Sequence, residues 1–136
     1  MLPSFIYTYL ANSDLVSGYS ESGSGLTVTR TFEPNRDLIT QVKNANGATT
    51  ISQFDYSNDA LGRRTSVKNS GTAFAPVGPQ FNLYQYNDRS ELTNAVRYFG
   101  ADLGVTTNPV LGQKYGYVFD NIGNRILGGP AASPSS

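Results

Sequence analysis

Phe54-Asp55-Tyr56-Ser57-Asn58-Asp59-Ala60-Leu61-Gly62-Arg63-Arg64 decides the reading of this chain, because weaker copies of it run from one end to the other. The last copy, Tyr117-Val118-Phe119-Asp120-Asn121-Ile122-Gly123-Asn124-Arg125, is nearly as clear. Three more begin at Tyr7-Thr8-Tyr9, Arg30-Thr31-Phe32 and Tyr84-Gln85-Tyr86. Anchored on Tyr9, Phe32, Tyr56, Tyr86 and Phe119, the copies are spaced by 23, 24, 30 and 33 residues. Such spacings are the mark of repeat architecture. The first two copies align without a gap: Asn12 falls on Asn35, Asp14 on Asp37, Leu15 on Leu38 and Val16 on Ile39. At the same offsets Glu91, Leu92 and Val96 fall on Asp37, Leu38 and Val42.

Each copy opens with aromatics two residues apart, as in Phe54 and Tyr56 or Tyr115, Tyr117 and Phe119. That spacing puts them on one face of a strand. Asn, Asp, Gly or Ser follow, supplying local hydrogen bonds and permissive backbone angles for a turn. A second alternating arm returns, such as Leu92, Asn94, Val96 and Tyr98. The unit reads as a β-hairpin. Asn46-Gly47 predicts a type I′ turn between two repeats, with Ala45 opposite Ala48 and Val42 opposite Ile51. Ser20 to Gly25, Thr72 to Gln80 and Gly100 to Gly112 read as irregular excursions, the last two because they contain proline. The array spans residues 1–128, and residues 129–136 read as a disordered tail.

The aromatic-Asp-x-x-Gly-Arg pattern of Tyr56 to Arg63 and Phe119 to Arg125 resembles the YD repeat of the RHS family. The third copy carries an extra residue, the last reads Gly-Asn-Arg, and the other three lack the Gly-Arg pair. The resemblance covers residues 5–128. It implies a spiral of β-hairpins forming a hollow shell, secreted or displayed at the cell surface, around a toxic C-terminal cargo. The family's Asp-Pro-x-Gly cleavage motif has no counterpart here, since the sequence contains no Asp-Pro pair. The resemblance therefore implies a strip of shell wall, without cargo or self-cleaving part.

Composition agrees with an all-β chain. Nine Tyr and seven Phe stand among many Ser, Thr, Asn and Gly, which favours short strands and turns. At 136 residues the chain is one domain by length, able to bury roughly two-thirds of its unfolded surface if compact. Ten basic and ten acidic residues cancel, so no overall charge points to nucleic acid or anionic lipid, and self-association is not opposed. Without cysteine or histidine, no disulfide, thiolate nucleophile or zinc site can form. The N-terminal residues show no signal peptide, and no apolar run approaches a membrane helix, so membrane insertion is not expected.

The candidate chemistry is thin. Asp55, Ser57 and Asp59 alternate like a calcium loop, but the central Gly and closing Glu are missing, so turn chemistry is the expected role. Arg63, Arg64 and Arg125 recur beside turn glycines and could take an anion. Pairing with Asp55, Asp59 or Asp120, or stacking on an aromatic of the adjacent hairpin, is the expected use. Tyr9, Phe32, Tyr56, Tyr86 and Phe119, with Gly62, Arg63, Gly123 and Arg125, are thus expected to pack repeat on repeat. No enzyme, cofactor or metal site is expected.

The expected fold is a twisted antiparallel sheet of about five hairpins, which either closes into a small barrel-like body or associates through its edges. The expected function is structural: a shell-wall segment, extracellular or at the cell surface, stacking within and between chains into a filament or shell. The competing expectation is a carbohydrate-binding or adhesion module with at least two anchor aromatics exposed along one groove.

Overall fold

A computed structural model describes residues 2–130. Ten strands make one antiparallel sheet in which spatial order equals chain order: β1 (Phe5–Tyr9), β2 (Val16–Glu21), β3 (Leu26–Phe32), β4 (Ile39–Asn46), β5 (Thr49–Asn58), β6 (Arg64–Ser70), β7 (Gln80–Tyr86), β8 (Leu92–Phe99), β9 (Pro109–Phe119) and β10 (Arg125–Pro130). A single 3-10 turn, Thr72–Phe74, is the only helical piece among the described residues. β1 and β10 do not pair, so the sheet stays open and the expected barrel-like closure does not occur.

The repeat is a hairpin with a fixed fault. Each begins beside its turn with one strand pair: Tyr9 with Val16, Phe32 with Ile39, Asn58 with Arg64, Tyr86 with Leu92, Phe119 with Arg125. One step further the register slips, leaving Ser17, Thr40, Thr65, Thr93 and Ile126 unopposed on the returning strand. Such a bulge bends the strand and increases local twist. Its recurrence at one position in all five hairpins identifies it as part of the unit.

This geometry corrects the sequence alignment twice. Asn58, and not Tyr56, occupies the place of Tyr9, Phe32, Tyr86 and Phe119, so Tyr56 corresponds to Tyr117 one step back on the same face. The extra residue noted in the third copy is this offset. In the fourth copy Leu92 corresponds to Ile39 instead of Leu38, because its turn is one residue shorter.

The Asn46-Gly47 prediction also shifts. Asn46 pairs with Thr49, so the two-residue loop is Gly47-Ala48. Gly47 has φ of 55° while Ala48 is not left-handed, the pattern of a type II′ turn instead of type I′. Ile51 is then bulged out, and Val42 meets Phe54, not Ile51. The gain is an aliphatic side chain opposite a ring, a favourable cross-strand pair. It also sets Asp55 opposite Gln41, whose amide donates to Asp55 Oδ1 at 2.7 Å.

Four other expectations tighten. Ser20 and Glu21 belong to β2, and the loop beyond them is short, with Glu21 Oε2 accepting from the Ser24 N–H. The loop before β7 folds through the 3-10 turn, where Phe74 meets Phe54 edge-on at 5.8 Å. β9 starts at Pro109, ending the last excursion at Asn108. Gly129 and Pro130, expected in the tail, pair with Gly116 and Tyr115 in β10, while residues 131–136 lie outside the described residues.

Cross-strand rows assign the faces, since directly opposed residues share one. One face carries the rows Arg30–Val42–Phe54–Asn69–Gln80–Phe99, Tyr56–Val67–Asn82–Arg97 and Tyr84–Ala95–Tyr115. The other carries Gln41–Asp55–Lys68–Phe81–Tyr98 and Leu83–Val96–Lys114, with Lys43. Strand arginines therefore gather on the first face and lysines on the second. Buried apolar residues are few among those described: Val28, Ala45, Val96 and Phe81, which is wholly inaccessible and stacked on Tyr98 at 5.2 Å. Burial concentrates in the middle strands. β1 is exposed throughout, and Ile126 and Leu127 of β10 face solvent.

Candidate functional site

The turns closing the five hairpins line up along one rim of the sheet. In the third, fourth and fifth, one side-chain oxygen organises the loop. Asp59 Oδ1 accepts from the N–H groups of Leu61 and Arg63 at 3.0 and 2.9 Å. Asn87 Oδ1 does the same for Arg89 and Glu91, and Asp120 Oδ1 for Ile122 and Asn124. A backbone bond closes each loop, from Asp59 to Arg63, Asn87 to Glu91 and Asp120 to Asn124. Asx side chains favour turns for this reason. Gly62 and Gly123 take positive φ at equivalent positions, and Ser90 holds the same conformation at φ 64° in the fourth turn.

From the second turn onward, arginines fasten each turn to the next. Arg36 is held by Glu33 through Nε at 2.6 Å, and its Nη1 donates to the Asp59 carbonyl at 2.8 Å and the Ala60 carbonyl at 3.3 Å. Arg63 is held by Asp59 at 2.7 Å and donates to the Asn87 carbonyl and Ser90 Oγ, both at 3.2 Å. Arg89 is held by Glu91 and donates to the carbonyls of Asn121 at 2.6 Å and Asp120. Own-loop acid, guanidinium, next-loop carbonyl: the same staple is used three times. The planar fork of arginine can serve both sides at once. The ladder stops at the fifth turn, where Asn124 stands in the place of Arg63 and bonds Asp120 Oδ2 of its own loop.

The carboxyls respond to these partners. The side chains of Arg36 and Asn58 hold the Glu33 carboxyl below its usual range. At Asp59 desolvation pushes upward, but the Arg63 side chain and N–H, with the Leu61 N–H, outweigh it and lower the value. Asp120 is likewise lowered against desolvation, by Asn124, Ile122 and Gly123. All three remain ionised and bound at neutral pH.

The predicted packing residues divide. Gly62 and Arg63 sit in the staple. Arg63 also lies 4.9 Å over the Tyr86 ring of the adjacent hairpin, and the Tyr86 hydroxyl donates to the Arg64 carbonyl at 2.7 Å. Phe32, Tyr56, Tyr86 and Phe119 are half-buried, whereas Tyr9, on the edge strand, is 58% exposed. Arg64 covers the Tyr56 ring at 3.9 Å and Arg125 the Tyr117 ring at 5.8 Å, the same contact in equivalent hairpins. Gly123 and Arg125 are otherwise exposed. Asp59 does the turn chemistry expected of it. Asp55 does not: it lies mid-strand, bound by the Gln41 and Gln53 amides.

Arg36 and Arg89 were not among the residues singled out by sequence. They fall at different offsets from their anchors, which a gapless alignment hides. Their signal is an arginine inside each of the three central turns.

Among the described residues no group of His, Cys, Asp and Glu could hold a metal ion, and no helix is long and apolar enough to cross a membrane. Neither protein-family models nor curated proteins give a match to this chain.

Proposed function

We propose that the protein is a structural element, a strip of hairpin wall resembling the RHS shell, whose two uncovered edges add to neighbouring wall. The observation that carries this reading is the staple repeated from turn to turn. Recurrent bonding between successive hairpins is what a wall needs and what a catalytic centre does not use. The open edges of β1 and β10 support the second half of the reading, because unpaired strand edges are templates for further pairing. Joining the β10 edge of one copy to the β1 edge of the next is a heterologous contact that need not close, so it yields filaments or large shells. An extracellular or surface location belongs to the same proposal through the resemblance.

A glycan platform has less support. Of the five anchors only Tyr9 is exposed, and guanidinium groups occupy the ring faces of Tyr56, Tyr86 and Tyr117.

Solution mass across a concentration series, with negative-stain images, tests the proposal. Large species or fibres are expected from the native chain. Ile6→Lys and Leu127→Lys, both at exposed edge positions, should each disperse them by placing charge on the edge. A monomer at every concentration, or assembly indifferent to both substitutions, would overturn edge addition.

A further inference from the structure

Charge is sorted within this neutral chain. On the arginine face, β3 to β10 carry Arg30, Arg64, Arg97 and Arg125 and no carboxylate, because the only strand acids are Asp55, on the opposite face, and Glu21, in β2. Acids collect instead in the turns.

At the centre of this face stand Arg64, Arg97 and Tyr84, and neither guanidinium is paired with a carboxylate among the described residues. Arg64 makes no side-chain hydrogen bond among the described residues. Its guanidinium carbon lies 3.9 Å from the centre of the Tyr56 ring and its Nε is shielded without a partner, which leaves the Nη groups as its open donors. Arg97 is held by carboxamides alone, Gln113 Oε1 at 3.4 Å and, in the amide orientation that satisfies both partners, Asn69 Oδ1 at 3.1 Å; its Nε is also unpartnered. Tyr84, whose hydroxyl has no protein partner among the described residues, stands on the strand between them. Burial raises its pKa, with Tyr86 adding to the rise and the charges of Arg64 and Arg97 opposing it. The three stapling arginines show how this chain satisfies a guanidinium: each receives a carboxylate oxygen on Nε. Arg64 and Arg97 have no such carboxylate among the described residues, and with each Nε shielded an incoming carboxylate meets the Nη edge of the guanidinium.

The form of the site narrows the ligand. The described grooves, one of about 520 Å³ between β9 and β10 and one of about 350 Å³ beside Tyr117 and Arg125, do not include Arg64, Tyr84 or Arg97. Four guanidinium groups spread over eight strands suit an extended chain. Stacking of a sugar or a nucleobase is hindered at Tyr56, Tyr86 and Tyr117, each of which already carries a guanidinium on one ring face. We propose that the arginine face holds the carboxylates of an acidic polypeptide segment, with Arg64, Tyr84 and Arg97 as the central donors. Guanidinium and carboxylate match as planar forks, and bonds to ionised groups are the strong ones.

A fluorescein-labelled deca-glutamate peptide titrated into the full chain at low salt tests this by anisotropy. Saturable binding that weakens with salt is expected. Arg64→Gln and Arg97→Gln should each lose about tenfold in affinity and Tyr84→Phe a smaller factor. Because Arg64→Gln could unfold the sheet, amide and guanidinium shifts in the native chain are mapped with the same peptide. Shifts at Arg64, Arg97 and Tyr84 support the site. No saturable binding, shifts centred on Lys43, Lys68 and Lys114, or capture of polygalacturonate without capture of the peptide would each overturn it. Edge assembly can fail without touching this result, since these residues lie on the face and not at β1 or β10.

Discussion

The two long rims of the sheet do the same topological work with different chemistry. On the rim described above, every connection is a short turn followed by the same bulge, and three arginines tie successive turns together. On the opposite rim the connectors range from Gly47-Ala48 to a 3-10 turn and the long Gly100 to Asn108 excursion. Side-chain bonds there stay mostly within a loop, as with Asp102 and Gly104, and the Thr72 hydroxyl to the Thr50 carbonyl is one of few that cross. Sequence regularity therefore follows bonding between hairpins. Where one turn must offer carbonyls to the last turn's arginine, length is fixed. On the opposite rim the bonds between loops are single and differ from one junction to the next, as from the Gly47 N–H to the Gly25 carbonyl and from the Gly100 N–H to the Pro79 carbonyl, and there length drifts, because lengthening a loop costs little entropy.

Substitutions that set one rim against the other sharpen this contrast. The largest effect is expected at Asp59. Asp59→Ala removes two backbone contacts and the anchor of Arg63, and should give the largest fall in the urea midpoint of any substitution in this set. Inserting three glycines after Gly104 should cost less than about 0.6 kcal/mol by loop-closure entropy, although it changes far more of the chain. Equal losses at the two sites would erase the distinction between rims.

Gly62→Ala comes next. Its φ of 82° is strained for any residue with a Cβ, and the nearest atom, Leu38 Cδ1 at 3.5 Å, is an ordinary contact, so the cost is backbone strain of about 1 kcal/mol. Arg36→Ala and Arg89→Ala should each cost about 1 kcal/mol, since their ion pairs are partly exposed and only the carbonyl bonds add appreciably. Thermal unfolding of the two variants beside an Asp102→Ala control reads this directly.

Acid provides a further asymmetry. Glu33, Asp59 and Asp120 have folded pKa values below their unfolded ones, so the stability they contribute is complete above the ordinary carboxylate pKa. It is lost as pH falls from about 4 through the depressed folded values. Amide exchange on the stapled rim should quicken in that window before the opposite rim responds. The smallest change is Ser90→Gly, which relieves a left-handed serine but removes an acceptor from Arg63; a net effect within about 0.5 kcal/mol of zero is expected.

The hairpin array was legible because period-two aromatics and Asx/Gly turns are local signals. The number of strands, their antiparallel order and the turn at each anchor all follow from them. Register was less legible. Val42 faces Phe54 only because Ile51 bulges out, and that choice depends on which cross-strand pairs gain, not on the Asn-Gly dipeptide alone. Tyr56 reads as an anchor because it is aromatic, while the fold puts Asn58 there, whose amide donates to Glu33 Oε1 in the preceding turn at 3.1 Å. At the staple, sequence pointed to Arg63 with Asp59. Arg36 and Arg89 escaped because the fold equates positions by loop geometry and not by distance along the chain. The sorting of arginines and lysines onto opposite faces depends on every bulge between them, so no single stretch contains it.

Native-state hydrogen exchange, resolved by residue, tests most directly whether cohesion between hairpins resides in the stapled rim. The account predicts strong protection from β3 to β8, with slow exchange at the turn amides of Leu61, Arg63 and Glu91, and fast exchange in β1 and β10. In Arg63→Ala, protection should fall at the junction of the third and fourth hairpins while β3 and β4 keep theirs. Turn amides exchanging as fast as Asp102 and Gly104 in the native chain, or an Arg63→Ala profile unchanged at that junction, would contradict it.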